Sequence, residues 1–210
     1  MDIATIREKI LTDDAFVLEE TRKIQYLYGL KHEIRYNQTR ADDCETESVA
    51  EHVYGMHVLA GYFLPLELLV HPKLSSDRVQ AMITWHDIDE VETGDTIGYL
   101  KTEAMRAAEG VAAKQVVANM PLHMQSFASE LLAEYEALET DSAKFVKAID
   151  RIEPLYQIYT PHGKKILERN KTTREQSDGL KYPYVQQFAT MLRFVDVTSN
   201  AMVAEGYYFK

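Results

Sequence analysis

The chain reads as a single all-α domain, residues 1–210. Three observations predict this. Apolar residues recur at helical spacing almost throughout, no stretch alternates with period two for long enough to be a strand, and there is neither an internal repeat nor a Pro/Ser-rich linker. A chain of 210 residues with 46% apolar and 27% charged residues can bury a full core without staples. The single cysteine, Cys44, excludes an intramolecular disulfide.

Ile3, Ile6 and Ile10 mark a short first helix, and Ile24, Leu27, Tyr28 and Lys31 a longer one. Residues 35–47 are polar, rich in Asn, Asp and Thr, and read as a loop. Ser48-Val-Ala-Glu51 is a capping box, in which the serine side chain accepts from the backbone three residues on and the glutamate reaches back. Val49, Val53, Met56, Ala60 and Phe63 then stripe a helix expected to end at Pro65. Ser75 or Ser76 caps the next, with Val79, Met82 and Ile83 on its apolar face. Residues 102–119 form an alanine-rich helix stopped before Pro121, and a further helix covers about Met124 to Leu138. Phe145, Ile149, Ile152, Tyr156 and Tyr159 stripe another, whose end is uncertain because Gly163 comes too late to cap it tightly. Lys164 to Gly179 is charged and reads as a surface helix or a loop; Tyr184 to Glu205 reads as one closing helix.

Thirty-three acids against 23 bases leave a net charge of −10. Such a field repels nucleic-acid polymers but still admits a small phosphorylated ligand where a cation or local arginines reverse its sign. The longest apolar run, Val58 to Val70, is interrupted by Pro65 and Glu67 and is too short to span a bilayer. The opening MDIATIREKI lacks the pattern of a signal peptide, so a cytoplasmic location is expected.

The anomaly lies on the Val79/Met82/Ile83 stripe. Helical steps onward reach His86, Asp87 and Glu90, polar groups on a face that should be buried. Either these side chains rim a solvated cleft or something compensates them, because a buried unpaired carboxylate costs several kcal/mol. A divalent cation is the simplest partner, since neutral imidazole with carboxylate suits Zn, Mn, Fe or Co. His52 falls in the first turn after the capping box, where the positive end of the helix dipole disfavours imidazolium and keeps the ring available as a ligand. Asp150 sits beside Ile149 on an otherwise apolar side, and Pro154, four residues on, cannot donate to its carbonyl, so the helix should loosen there. His32, His57, His71, His123 and His162 have no comparable setting.

The order His52, His86-Asp87, Asp150 resembles the histidine–aspartate (HD) domain metal-dependent phosphohydrolases. Glu47-Ser-Val-Ala-Glu-His52 is similar to the word around the first histidine in their 5′-deoxynucleotidase branch. His86-Asp-Ile-Asp-Glu90-Val-Glu-Thr-Gly-Asp95 resembles its HDxxExxxGD word, and Ala143-Lys-Phe-Val-Lys-Ala-Ile-Asp150-Arg-Ile-Glu its last-ligand helix. The resemblance implies one divalent transition metal (Mn, Co, Zn, Fe or Ni) held by His52, His86, Asp87 and Asp150. It implies Glu90 as the acid that orients or deprotonates the attacking water, Asp95 near the sugar and leaving oxygen, and an arginine on the phosphate. Arg35, followed by Tyr36, matches that arginine best, with Arg40 competing. The implied reaction is hydrolysis of (deoxy)nucleoside 5′-monophosphates by a homodimer. The alternatives are another phosphate ester or pyrophosphate as substrate, or a non-catalytic metal-dependent nucleotide sensor. After Asp95 the chain reads Thr-Ile-Gly-Tyr, without the proline expected soon after the GD of that branch, so the base and sugar stay open.

Overall fold

The computed structural model describes residues 1–36 and 47–210; Arg40 and Cys44 lie outside the described residues. Among the described residues the fold is helical, with two isolated β-bridges, Ile34 to Ser48 and Thr173 to Phe209, as its only extended pairings. None of its helices is long and apolar enough to cross a membrane. In chain order the helices are α1 (Ile3–Thr12), α2 (Asp14–Leu27), α3 (Val49–Glu67), α4 (Ser76–Trp85), α5 (Glu90–Thr93), α6 (Glu103–Asn119), α7 (Leu122–Ala137), α8 (Asp141–Ile158), α9 (Pro161–Arg169), α10 (Arg174–Val185) and α11 (Ala189–Ala204).

Helix α8 is the axis. It packs against α3, α4, α7, α9, α10 and α11. Phe145, Val146, Ala148, Ile149 and Ile152 are fully enclosed. A helix surrounded by others is apolar nearly all round, so Asp150 and Glu153, at 6% and 5% exposure, stand out within it. Aromatic residues fill the spaces between helices: Phe145 meets Phe188 edge-on at 5.5 Å, and Phe63 meets Phe194 at 5.1 Å. Burying each enclosed phenylalanine contributes about 2–3 kcal/mol. A second, smaller apolar cluster of Leu30, Val49, Ile88, Val116, Val117 and Met120 joins the first turn of α3 to α6.

Four boundaries differ from the expectations. Helix α3 runs past Pro65 to Glu67, because Leu64 and Glu67 are buried on its inner face and Glu67 Oε1 accepts from the Thr190 amide at 3.2 Å, tying the helix end to α11. The stripe of α4 does not continue as α-helix. After His86 the backbone tightens, with Ile88 N–H donating to Trp85 O at 3.1 Å and Glu90 N–H to Asp87 O at 3.1 Å. Three residues per turn bring Asp87 and Glu90 onto one line. The charged stretch after residue 160 is two helices, α9 and α10, and Gly163 lies inside α9, where Thr160 Oγ1 accepts from its amide at 3.0 Å. The closing helix is split at residues 186–188, where Phe188, 1% exposed, turns into the core. Helix α8, in contrast, continues through Pro154 to Ile158.

Candidate metal centre

His52 is placed by the capping box. Ser48 Oγ accepts from Glu51 N–H at 3.2 Å, and Glu51 Oε2 accepts from Ser48 N–H at 2.6 Å. The first turn of α3 is thereby held, and the imidazole enters the interior at 0% exposure. Its Nδ1 lies 2.7 Å from Glu153 Oε2. A carboxylate accepts only, so Nδ1 carries a proton, and whenever the ring is neutral Nε2 presents a lone pair. Helix α4 delivers His86 as the residue that caps its C-terminal end. Nδ1 of His86 lies 2.9 Å from the Ile83 carbonyl, which likewise leaves Nε2 as the acceptor.

Both Nε2 atoms are buried without a hydrogen-bond partner among the described residues. They face two carboxylates: His86 Nε2 is 2.9 Å from Asp87 Oδ2, and His52 Nε2 is 3.5 Å from Asp150 Oδ1 and 3.9 Å from Asp87 Oδ2. One ligand atom from each of His52, His86, Asp87 and Asp150 lies within 4.8 Å of the others. Two lone pairs and two anionic oxygens aimed at one buried point suit a single divalent transition metal, and the donor set admits Mn, Co, Zn, Fe or Ni alike.

The surroundings order these donors. Asp150 divides its oxygens: Oδ1 faces His52, while Oδ2 accepts from Tyr135 O–H at 3.0 Å and pairs with Lys147 at 3.2 Å. Burial opposes its ionisation, but Arg151 and Lys147 outweigh burial and hold the carboxyl well below the usual range. Asp87 is likewise held low, burial being outweighed by the adjacent His86 ring. Glu90 moves the other way. It is 4% exposed, and burial together with Asp87 and Asp95 pushes its carboxyl well up. One of its oxygens, Oε2, has no partner among the described residues.

Gly94, at φ +70°, makes the left-handed turn that carries the chain from Glu90 to Asp95. Asp95 Oδ2 accepts from Tyr36 N–H at 3.0 Å and Oδ1 lies 3.5 Å from Arg35 Nε. Arg35 is buried among three carboxylates: Nη1 is 2.8 Å from Glu47 and 3.5 Å from Glu153, besides the Asp95 contact. A cleft of about 130 Å³ opens here, with Arg35, Asp87, Glu90, Asp95, Asp150 and Arg151 in its walls. A larger cavity of about 970 Å³ lies between α6 and α7 and shares Asp87, Glu90, Lys101, Lys147 and Arg151 with that cleft.

The structure thus brings together seven of the eight residues singled out in the sequence: His52, His86, Asp87 and Asp150 at one point, with Glu90, Asp95 and Arg35 in the adjoining cleft. Arg40 lies outside the described residues. Sequence reasoning gave no role to Glu47, Glu153, Tyr135, Lys147 or Arg151. For Glu153 and Lys147 a signal existed, since each lies three residues from Asp150 and shares its helix face. Tyr135 carried none, because only the packing of α7 on α8 brings it to Asp150.

The sequence model of the HD domain matches residues 27–192. Human 5′-deoxynucleotidase HDDC2 is 31% identical over 113 residues, which cover 53% of this chain and 52% of the human protein. The 5′-deoxynucleotidase hdd1 of Schizosaccharomyces pombe is 30% identical over 119 residues, covering 54% of this chain and 57% of that one. The chain spans about half the length of the curated relatives it matches. Among solved structures, a predicted metal-dependent phosphohydrolase from Magnetospirillum magnetotacticum superposes with a TM-score of 0.75 at 25% identity, covering 92% of this chain and 98% of the other. An HD-domain phosphohydrolase from Listeria innocua superposes with a TM-score of 0.55 at 18% identity, over 89% and 86% of the two chains, and shows the fold alone.

Proposed function

The chain belongs to the HD-domain family, and from that premise we propose that it is a metal-dependent phosphomonoesterase hydrolysing (deoxy)nucleoside 5′-monophosphates to nucleoside and phosphate. The observation that carries the reading is the pair of buried imidazole Nε2 atoms, without hydrogen-bond partners among the described residues, facing Asp87 and Asp150, with Glu90 Oε2, likewise without a partner among them, also buried nearby. The 5′-deoxynucleotidase relatives support the substrate class.

In this reading His52, His86, Asp87 and Asp150 hold the ion. When bound, a divalent ion polarises a phosphoryl oxygen and lowers the pKa of water toward neutrality. Glu90, in its carboxylate form, takes a proton from the attacking water, and the burial that raises its pKa makes that carboxylate the stronger base. The water oxygen bonds to phosphorus as the bond from phosphorus to the sugar oxygen breaks, and the departing oxygen takes up a proton from solvent while Glu90 gives up the one it accepted, which returns the site to its starting state. Lys147 and Arg151 line the cleft beside Asp150 and supply positive charge toward the phosphate. In this reading Arg35, which lines the cleft and is bound by Glu47, Asp95 and Glu153, is the arginine that meets the phosphate. Asp95 serves the sugar and leaving-oxygen end. Homodimerisation and a cytoplasmic location belong to the same proposal, and sedimentation tests the first.

The experiment is phosphate release from a panel of nucleoside 5′-monophosphates by protein reconstituted separately with Mn, Co, Zn, Ni, Fe and Mg. Release with at least one ion is expected; none with any ion overturns the reading. The 970 Å³ cavity meeting the same cations favours one alternative, a bulkier phosphate ester or a pyrophosphate, and the same panel extended to such compounds decides it.

A further inference from the structure

We propose that Lys181 selects the substrate's base: its ammonium, enclosed in the wall of the cleft that also holds the metal-ligand carboxylates, donates a hydrogen bond to an oxo oxygen of the nucleobase. The inference rests on the nucleotide reading above and names the part of the nucleotide that the chain itself discriminates.

The cleft is two-ended. Asp87, Glu90 and Asp150 line one end, and the wall then follows α8 past Pro154 to Ile158, facing Leu167 of α9 and Leu180 of α10. An apolar slot with a few polar groups suits a flat heterocycle. Its polar groups include Lys181, Ser177, Thr172, Asn170 and Tyr99. A phosphate at the ligand cluster would therefore direct its nucleoside along α8 toward α10.

Lys181 is 4% exposed. Nζ donates to the Ser177 carbonyl at 2.9 Å and to Ser177 Oγ. Among the described residues no carboxylate oxygen lies within 4 Å of it, although Lys147 and Arg151 in the same cleft each have Asp150 close by. An ammonium has three donors, and two are used. Burial pushes this amine down to about 8, still largely a cation at neutral pH. Asp178, one turn back on α10, favours the ammonium, while Arg174 and Arg151 oppose it; an enclosed cation with no carboxylate in ion-pair contact among the described residues is a stability cost that an apolar side chain of similar length would avoid. A third donor directed at a ligand oxygen gives such a residue a use. Thymine, cytosine and guanine carry an oxo oxygen; adenine carries none. A site built to donate to a polar group discriminates strongly against a ligand lacking it.

Calorimetric titration of the purified protein with 2′-deoxythymidine, 2′-deoxyguanosine and 2′-deoxyadenosine 5′-monophosphates tests this. The wild type should bind at least one oxo-bearing nucleotide tenfold or more tightly than the adenine nucleotide. Lys181→Met should lose that ratio while its thermal midpoint stays equal or rises, and Lys181→Gln, which keeps a donor, should recover part of the ratio. Three results overturn the proposal: no base preference in the wild type, an unchanged ratio in Lys181→Met, or a lowered midpoint with all three nucleotides weakened alike, which would make Lys181 structural. The titrations are run in a chelating buffer, where no turnover occurs, and phosphate release from the nucleotide panel by metal-reconstituted wild type decides the hydrolase reading separately.

Discussion

Glu153 Oε2 lies 2.7 Å from His52 Nδ1, and the same oxygen is 3.5 Å from Arg35 Nη1. One carboxylate one turn beyond Asp150 thus fixes the tautomer of the first histidine and anchors the buried arginine. Outer partners of this kind raise ligand basicity and fix ring orientation. Glu153→Ala should weaken divalent-metal affinity by about 10–100-fold, and Glu153→Gln by less, since its amide oxygen still accepts from Nδ1. Competition against a fluorescent chelator measures both; unchanged affinity in Glu153→Ala would show that the contact does not tune the site.

Gly55 is tied to the same carboxylate. A Cβ at this position would stand 2.6 Å from Glu153 Oε1. Alanine is the better helix former by about 1 kcal/mol, yet Gly55→Ala should bind metal less tightly than the wild type because it displaces Glu153. Chelator competition on this variant, with no ligand atom altered, separates the two effects.

Glu90→Gln removes the proton acceptor and keeps the shape. If Glu90 handles the proton of the attacking water, kcat should fall by about 10²–10⁴-fold. Metal content by elemental analysis should be unchanged, since Glu90 is not among the four converging donors. A variant with wild-type turnover would point to the non-catalytic sensor.

The pH behaviour of chelated protein reports on His52. Burial and the Arg35 guanidinium oppose its protonation, but Asp150 and Glu153 outweigh them and lift the imidazole from 6.5 to about 9. A group whose pKa is raised on folding stabilises fully below its unfolded value, and that stability is lost as pH rises through the folded value. The thermal midpoint of chelated wild type should therefore exceed that of His52→Gln most at pH 6, with the gap shrinking toward pH 9. Thermal scans in a chelating buffer read it; a gap that widens with pH reverses the sign and the assignment. Below pH 9, metal uptake should also release a proton, visible as a buffer-dependent heat.

The helices and their caps were legible because helical periodicity and capping act over three or four residues. Ser48 and Glu51 announce the start of α3 and form the box in the structure. His86 and Asp87 were picked out for interrupting an apolar stripe, although the reason for their convergence differs from the expected one. The stripe ends at Trp85, and the tightened turn that follows aligns Asp87 with Glu90. Pro65 misled because a local stop signal is overridden when the residues after it are held by distant partners, here Thr190 on Glu67. The single closing helix was misread for a related reason: inserting Phe188 beside Phe145 outweighs continuing the helix.

By itself the sequence determined the helical class, the capped starts, the acidic balance and the identity and order of the four candidate donor residues. Each of these is written in residue type and short-range spacing. Tertiary structure alone decided that Glu153 reaches His52 across 101 residues, that Asp150 turns one oxygen to His52 and the other to Tyr135, and that Lys181 is enclosed in the cleft wall. These relations depend on how α8 is surrounded by its neighbours, and packing between distant helices has no period in the chain from which it can be read.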